Sequence, residues 1–197
     1  MNQNENSIYG SHLEEMNQVM NMLVARIRLG AEEIKARSGM APIEHLKYRI
    51  KDEESMREKC RRHGLPESDD SALNRLHDAI GVRVVCSFLD DVYAIRDYIF
   101  AQEEIEIIQE KDYIRHVKPN GYRSYHMILR FRGYYAEVQI RTISMDTWAA
   151  LEHHIRYKKN VQGNTELLFE ELKRCADEFA STDASMQTIR SLIQEEE

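Results

Sequence analysis

The stretch AIGVRVVCSF, residues 79–88, limits the fold of this 197-residue chain more than any other feature of its sequence. Its residues are almost all apolar, several are β-branched, and Arg83 is the only charged one. Such a run is typical of a β-strand that is buried on both faces. Segments with helical periodicity precede and follow it, so the sequence predicts an α/β (α+β) fold with a central sheet.

The spacing of apolar residues and of turn residues divides the rest of the chain into elements. In chain order we predict a helix over 11–37, a helix over 42–63 that begins at Pro42, the strand at 79–88, a helix after it, strands at 104–108, 127–131 and 135–142, and helices over 144–157 and 166–193. A strand–helix–strand crossover followed by a hairpin at Arg132-Gly133 predicts a mixed sheet of at least four strands. We expect one globular unit with an N-terminal helix (1–40), a sheet-containing domain (41–160) and a C-terminal helix (161–197).

Composition excludes several classes of protein. The formal net charge is −7, whereas general nucleic-acid binders are usually basic, so any phosphate-binding cations must be gathered locally. No run of 18 apolar residues exists, and the first ten residues lack the basic and apolar parts of a signal peptide. The three cysteines are far apart and odd in number. We therefore expect reduced thiols, no membrane association and a cytoplasmic location.

One predicted strand, YAEVQIRT, carries polar side chains where a central strand should be apolar. Period-two alternation places Ala136, Val138 and Ile140 on one face and Glu137, Gln139 and Arg141 on the other. Asp78 lies at the mouth of the first strand, and Arg83 lies within it. Two carboxylates with nearby arginines are the components of a Mg²⁺–phosphate site, although a solvated outer face would give the same alternation.

The segment KPNGYRSYHMIL, residues 118–129, opens a strand with hydrogen-bonding and aromatic groups. Alternation places Tyr122, Ser124 and His126 on one face, just after the Asn120-Gly121 turn. A tyrosine at such a turn is able to stack on a purine, which contributes about 1–3 kcal/mol per base. Lys111 and Lys118 are candidate phosphate-binding cations. Ordinary amphipathic strand residues remain the alternative.

The predicted helix over 42–63 is rich in basic residues. Lys51, Ser55 and Lys59 follow i, i+4, i+8 spacing and would line one helical face that binds a triphosphate. A solvated helix with glutamate partners is the alternative. The His77-Asp78 dyad lacks the further His and Asp ligands of a metal phosphohydrolase. His153-His154 lacks the motifs of a zinc site, so we expect these two histidines to be a packed or surface pair.

Four segments, DAIGVRVVCSFLDDVYAI, KDYIRHVKPNGYRSYHMIL, AEVQIRT and WAALEHHIRYK, together resemble the synthetase domain of the RelA/SpoT family over about residues 40–160. The chain is most similar to its single-domain small alarmone synthetases of the RelQ or RelP kind. The resemblance implies a (p)ppGpp synthetase, a GTP/GDP diphosphokinase that moves the β,γ-pyrophosphate of ATP to the 3′-hydroxyl of GDP or GTP and releases AMP. It also implies a nucleotidyltransferase-like sheet of about five strands.

Matching the family motifs assigns an expected role to each candidate residue. The resemblance implies that Asp78 and Glu137 bind Mg²⁺ and that Glu137 also draws the proton from the 3′-hydroxyl. It implies that ATP is bound by Arg49, Lys51, Ser55, Lys59 and Arg83, with the two arginines on the adenine. It implies that GDP or GTP is bound by Lys111, Lys118, Asn120, Tyr122, His126 and Gln139, with Tyr122 stacked on guanine.

The resemblance further implies an oligomeric state and allosteric ligands, and it leaves two alternative functions open. The long terminal helices carry apolar stripes that predict a homo-oligomer, by resemblance a tetramer, with alarmone or single-stranded RNA as an allosteric ligand. The rival functions are a pyrophosphokinase of the same fold acting on adenine nucleotides or the tRNA 3′ end, and a non-catalytic nucleotide or single-stranded RNA binding module.

Overall fold

The computed structural model describes residues 7–157 and 165–195. The elements are a 3₁₀ turn (Gly10–His12), α1 (Leu13–Ser38), β1 (Ile43–Ile50), α2 (Glu53–Arg62), a π-helical turn (Ser71–Arg75), β2 (Ile80–Cys86), α3 (Leu89–Phe100), β3 (Ile105–Asp112), β4 (Tyr125–Phe131), β5 (Tyr134–Thr142), α4 (Ile143–Tyr157) and α5 (Thr165–Glu195). None of the helices within these two ranges is both long enough and apolar enough to cross a bilayer.

The five strands form one mixed sheet in the order β1-β2-β5-β4-β3. The β2–β5 pair is parallel, and the other three neighbouring pairs are antiparallel. This confirms the predicted mixed sheet with helices on both sides, including the long helices near each end. The predicted hairpin is β4–β5, and its turn residues Arg132 and Gly133 have φ angles of 48° and 89°. Two positive φ angles are what a two-residue turn needs to match the twist of its strands.

The predicted helix over 42–63 is wrong in its first half. Ile43 to Ile50 form β1, an edge strand that pairs antiparallel with β2. The helix α2 begins only after Asp52, whose side chain accepts a hydrogen bond from the backbone N–H of Ser55 at 3.1 Å. Such an N-cap satisfies one of the free N–H groups at the start of a helix. Lys51 therefore precedes α2, so it shares no helical face with Ser55 and Lys59.

The main core lies on one face of the sheet, under α1 and α3. Alternation in the parallel pair places Val82 of β2 beside Val138 of β5, and both are buried with apolar residues of the two helices. The opposite face of the same pair carries Gly81 and Arg83 beside Glu137 and Gln139. The prediction that β2 is buried on both faces therefore holds for residues 84–86, which are all buried, whereas at Gly81 and Arg83 the second face is only partly buried and opens into a cleft.

Candidate active site

The polar face of the sheet forms the floor of a cleft of about 580 Å³ between β1 and α4. Its lining residues are Lys47, Tyr48, Arg49, Lys51, Asp78, Gly81, Val82, Arg83, Tyr122, Glu137, Gln139, Arg141, Ala149, Ala150, Glu152, His153 and His154. Both predicted carboxylates and the predicted stacking tyrosine are in this set. The alternative of a featureless solvated outer face therefore does not describe this side of the sheet.

Asp78 binds two lysines at the end of the cleft where β2 begins. Its Oδ2 lies 2.6 Å from Nζ of Lys51 and 2.6 Å from Nζ of Lys59. Lys51 is held there by its backbone N–H, which donates to the carbonyl oxygen of Ala79 at 2.8 Å. His77 turns the chain into β2 with a φ angle of 52°, and its ring stacks on Tyr135 with centroids 3.9 Å apart. His77 thus shapes the backbone before Asp78.

Glu137 is held by two N–H donors on neighbouring side chains. Gln139 Nε2 donates to its Oε2 at 3.1 Å, and His126 Nδ1 lies 3.5 Å from its Oε1. The N–H donation from His126, with a smaller part from Gln139, holds the pKa of Glu137 below its ordinary value. Burial lowers the pKa of His126. A neutral His126 with its proton on Nδ1 satisfies both observations.

The tautomer of His126 is fixed from its other side by Tyr122. The Tyr122 hydroxyl lies 2.8 Å from His126 Nε2 and accepts a hydrogen bond from Nη2 of Arg141. Because the guanidinium has no acceptor, the hydroxyl donates its own proton to His126 Nε2. Arg141, Tyr122, His126 and Glu137 therefore form one chain of hydrogen bonds.

Asp146, in the first turn of α4, gathers the arginines of the cleft floor. Its Oδ1 lies 3.2 Å from Nη1 of Arg83 and 3.1 Å from Nη1 of Arg141, and Lys47 Nζ is 3.7 Å from its Oδ2. Arg83 also donates through Nε to Gln139 Oε1 at 3.3 Å. Burial, followed by the nearby charge of Arg141, lowers the pKa of the Arg83 guanidinium. Both guanidinium groups are thus fixed in place.

The Tyr122 ring lies at the wall of the cleft and is only partly buried. Lys118 Nζ is 4.8 Å and the Arg141 guanidinium carbon 5.1 Å from the ring centroid, both within cation–π range. Trp148 and His126 meet the ring edge-on, with centroids 6.4 Å and 5.8 Å away. These contacts fix the ring orientation, and the ring remains accessible from the cleft.

The structure brings most of the predicted site residues together and leaves a few apart. Asp78, Glu137, Arg49, Lys51, Arg83, Tyr122 and Gln139 line the cleft, while Lys59, His126 and Lys118 contact residues that line it. Asn120 accepts a hydrogen bond from the backbone N–H of Tyr122 at 3.2 Å and so stabilises the turn. Lys111 is exposed on β3, opposite His126 in register. Ser55 is exposed on α2 and is not among the residues that line the cleft.

Several cleft residues were missed by sequence reasoning. Tyr48 lies on β1. Because this segment was predicted to be helical, the direction of the Tyr48 side chain was not predicted. Asp146 sits at the start of a correctly predicted helix, where an acidic residue is ordinary and therefore carries no signal of a site. His153 and His154, predicted to be a packed or surface pair, are exposed and line the α4 wall of the cleft.

The donor set of the cleft fits a hard divalent cation. Oδ1 of Asp78 is buried and has no hydrogen-bond partner among the described residues, although Oδ2 binds two lysines. Glu137 is the second carboxylate of the cleft floor, and its pKa is lowered partly by the charge of Lys59, which also contacts Asp78. The described residues contain no cluster of three or more metal-binding side chains. Two carboxylates suffice for Mg²⁺, which keeps several waters and binds substrate phosphates.

Comparison with known proteins gives consistent matches. Residues 48–162 match the family described as "Region found in RelA / SpoT proteins". The chain is 36% identical to GTP pyrophosphokinase YwaC of Bacillus subtilis, over 93% of this chain and 97% of that protein. A GTP pyrophosphokinase family structure from Streptococcus pneumoniae matches at 33% identity and a TM-score of 0.80, covering 94% of each chain.

A third match is the crystal structure of small alarmone synthetase 1 from B. subtilis bound to its product pppGpp. It is 28% identical, has a TM-score of 0.78, and covers 91% of this chain and 94% of that one. The family match includes every cleft-lining residue except Lys47, and the similarity to whole proteins also covers the flanking helices. On these grounds the chain belongs to the RelA/SpoT family, and its structural neighbours are small alarmone synthetases.

Proposed function

We propose that this protein is a (p)ppGpp synthetase that transfers the β,γ-pyrophosphate of ATP to the 3′-hydroxyl of GDP or GTP. The observation that carries the proposal is a single cleft that contains Asp78, Glu137 and the accessible ring of Tyr122. Relatives of similar length are named GTP pyrophosphokinases, and one neighbour binds pppGpp. In the proposed reaction the acceptor 3′-oxygen attacks the β-phosphorus of ATP, the bond to the α-phosphate oxygen breaks, and AMP leaves.

The donor nucleotide is proposed to bind along β1 and β2. Arg49 pairs with Gly81 across these strands, and Arg83 lies two residues further along β2. Two residues of a strand span about 7 Å, which leaves room for one flat ring between the two guanidinium groups. Lys51 and Lys59, at the Asp78 end of the cleft, would then face the phosphates. Ser55 is proposed only as a weaker ATP contact. Its exposed position on α2 gives this role no support from the geometry.

The acceptor nucleotide is proposed to stack its guanine on Tyr122. The hydroxyl bonds to Arg141 and His126 hold this ring in one orientation before the nucleotide arrives. Lys118 beside the ring supplies a cation for the acceptor phosphates. Lys111, opposite His126 across the strand pair, is proposed to reach the same phosphates from the sheet edge, while Asn120 shapes the turn.

Glu137 is proposed to take the proton from the 3′-hydroxyl. Its lowered pKa keeps it as a carboxylate at neutral pH, and His126 and Gln139 orient it from the two sides. A positioned carboxylate within hydrogen-bond reach of a hydroxyl acts as a general base. Asp78 and Glu137 would hold Mg²⁺, which when bound neutralises phosphate charge and lowers the pKa of a nearby hydroxyl.

The experiment that tests this function follows label from ATP to acceptor. Purified protein is incubated with Mg²⁺ and [γ-³²P]ATP plus GDP, GTP, ADP or deacylated tRNA, and products are separated by thin-layer chromatography. We expect label in ppGpp or pppGpp. Label in an adenine nucleotide or in tRNA would establish one of the rival pyrophosphokinases. Nucleotide binding without transfer to any acceptor would establish a non-catalytic module and refute the proposal.

We also propose that the protein is a homo-oligomer, by resemblance a tetramer. The C-terminal part of α5 carries Ile189, Leu192 and Ile193 at 50–57% exposure, which is more apolar surface than one helix usually leaves in water. A monodisperse monomer by light scattering at micromolar concentration would refute this. Binding of alarmone or single-stranded RNA between subunits stays a prediction.

A further inference from the structure

The turn before Tyr122 packs directly on the C-terminal helix α5. We call residues 118–123 the acceptor turn. Its Gly121 has a φ angle of 88°, and a Cβ atom there would lie only 2.6 Å from Cβ of Ala176 and 3.3 Å from Cα of Lys173. Only glycine combines this backbone conformation with so close an approach. Gly121 therefore packs directly against the Ala176 side chain and the backbone of Lys173, and no larger residue fits at position 121.

Arg123 ties the turn and the helix together. Its Nη1 donates to the carbonyl oxygens of Gly121 and Ala176, each at 3.1 Å, and its Nη2 donates to Oδ1 of Asp177 at 2.8 Å. Its side chain is only 15% exposed, although its partner Asp177 is largely in solvent. One guanidinium thus joins a carbonyl of the turn to a carbonyl and a carboxylate of α5. Charge-assisted bonds of this kind are stronger and more directional than neutral ones.

The backbone hydrogen bonds of the acceptor turn are internal. Gly121 N–H donates to the Lys118 carbonyl at 2.8 Å, and Lys118 N–H donates to the Tyr122 carbonyl at 3.3 Å. Such bonds fix the shape of the turn but do not fix its position in the protein. The position of the turn relative to the sheet therefore depends on the buried Ser124 that follows it, whose carbonyl accepts from Tyr113 N–H at 3.0 Å, on the Tyr122 side chain and on α5.

α5 is itself anchored on both sides of this contact. Trp148 Nε1 donates to the carbonyl oxygen of Leu172 at 2.8 Å, one turn before Ala176. Further along the helix, the Thr142 hydroxyl donates to Asp183 Oδ2 at 2.6 Å. The helix thus presents a fixed surface to the acceptor turn rather than a mobile one.

We propose that α5, together with the hydroxyl bonds of Tyr122, sets the orientation of the acceptor-binding ring, with Arg123 and Gly121 as positioning residues that act on acceptor binding through Tyr122. The proposal rests on the proposed function, since it assumes that Tyr122 binds the acceptor purine. Loosening the contact lets the turn sample orientations in which the ring no longer faces the cleft, so affinity for the acceptor falls. The ATP-binding side of the cleft is built from β1, β2 and α2 and does not depend on this contact.

The test separates acceptor binding from donor binding in Arg123→Ala and Gly121→Ala. We expect the KM for GDP or GTP to rise about tenfold in both variants, with the KM for ATP unchanged and kcat at saturating acceptor within about threefold of wild type. Asp177→Asn keeps both carbonyl bonds and should raise the acceptor KM by less than Arg123→Ala. Arg174→Ala is the matched control, because Arg174 lies on α5 but pairs with Glu171 and Glu178 of the same helix.

Trp148, the only tryptophan, reports whether α5 itself stays docked. In both variants we expect no shift of its emission to longer wavelength, because the Trp148–Leu172 bond keeps the indole buried, but a change of intensity, because Trp148 also meets the Tyr122 ring edge-on. An unchanged acceptor KM in an active protein would overturn the inference, as would an equal rise of the KM values for ATP and acceptor. A wild-type protein that transfers nothing to GDP or GTP would instead refute the proposed function.

Discussion

The charge of Glu137 is the feature on which the proposed chemistry depends most, and Glu137→Gln removes it while keeping the shape of the side chain. The carboxylate now accepts from two donors, His126 Nδ1 and Gln139 Nε2. An amide has only one oxygen, so one of these donors must face the new NH₂ group. The hydrogen-bond partners of His126 and of Gln139 decide which of the two faces this NH₂ group.

The side-chain amide of Gln139 is held in its present orientation and is unable to flip. Its Oε1 accepts from Arg83 Nε at 3.3 Å and from Arg141 Nη2 at 3.0 Å, so a flipped amide would place NH₂ against two guanidinium groups. The oxygen of the substituted amide at position 137 therefore faces Gln139, and the NH₂ group of that amide faces His126. His126 must then carry its proton on Nε2. ¹⁵N NMR of the imidazole should show this exchange of tautomer.

The stability cost of Glu137→Gln follows from the same network. With the proton on Nε2, the imidazole and Arg141 both donate to the Tyr122 hydroxyl, whose own proton loses its partner. Leaving a buried donor unpaired costs about 1–3 kcal/mol, and Tyr122 is only partly buried, so the lower end applies. A loss of about 1 kcal/mol lowers the unfolding midpoint by roughly 2–4 °C in a chain of this size. The variant should therefore stay folded.

The rate should fall far more than the stability. A positioned general base contributes about 10²–10⁴-fold, or roughly 3–5 kcal/mol of barrier, and the proposed metal contact is weakened as well. We expect kcat to fall by at least about 10³-fold, with the KM for ATP within about threefold of wild type. Glu106→Gln, which changes an exposed carboxylate of β3, is the matched control and should leave turnover unchanged. A Glu137→Gln variant whose kcat stays within tenfold of wild type would exclude Glu137 from the chemistry.

Three further changes test other parts of the molecule. Asp78→Asn should reduce turnover by about 10²–10³-fold and raise the Mg²⁺ concentration needed for half-maximal rate; a Mg²⁺ titration identical to that of wild type would contradict its proposed role. Asp146→Asn should raise the KM for ATP about tenfold, because Arg83 loses its charged partner, and initial rates at saturating acceptor will measure this. Arg190→Ala leaves the buried Asp91 unpaired, which should cost about 3–5 kcal/mol and lower the midpoint in calorimetry by roughly 6–20 °C.

The sequence predicted the central strands well because their burial leaves an unambiguous pattern. β2 is apolar apart from Arg83, β5 alternates, and the hairpin turn carries a glycine where the backbone needs one. The polar face of β5 was predicted residue by residue, since a strand fixes the direction of each side chain. Tyr122 proved to lie just before β4, which begins at Tyr125, but its hydroxyl still meets His126.

β1 was missed because its sequence imitates a helix. Ile43, Leu46 and Ile50 are spaced by three and four residues, which is the spacing of a helical stripe. As an edge strand β1 is paired on one side only, and a bulge between Ile43 and His45 breaks its alternation. Each of these features removes the period-two signal. The lysines around it were predicted to bind phosphates from a helical spacing, and that spacing does not hold for Lys51, which precedes α2.

The sequence did not allow contacts between distant segments to be predicted. The sequence of α5 does not indicate that Ala176 must be small because Gly121 approaches it, or that Asp177 pairs with Arg123. The role of Asp146 was unpredictable for the same reason, because its partners Arg83 and Arg141 lie on β2 and β5, which meet α4 only in the folded protein. A pattern within one element predicts which way a side chain points, but it does not predict what the side chain meets.

The carboxylates of the cleft have a second role besides the proposed binding of Mg²⁺, because they hold the cations that this acidic chain gathers there. Lys51 and Lys59 share one oxygen of Asp78, and Arg83 and Arg141 share one oxygen of Asp146. Without these carboxylates each pair of like charges would repel and turn toward solvent. With them, the cations are oriented before any nucleotide binds, so little reorganisation remains when phosphates arrive. A net charge of −7 is thus compatible with polyphosphate binding, because the positive field is local and held in place from within.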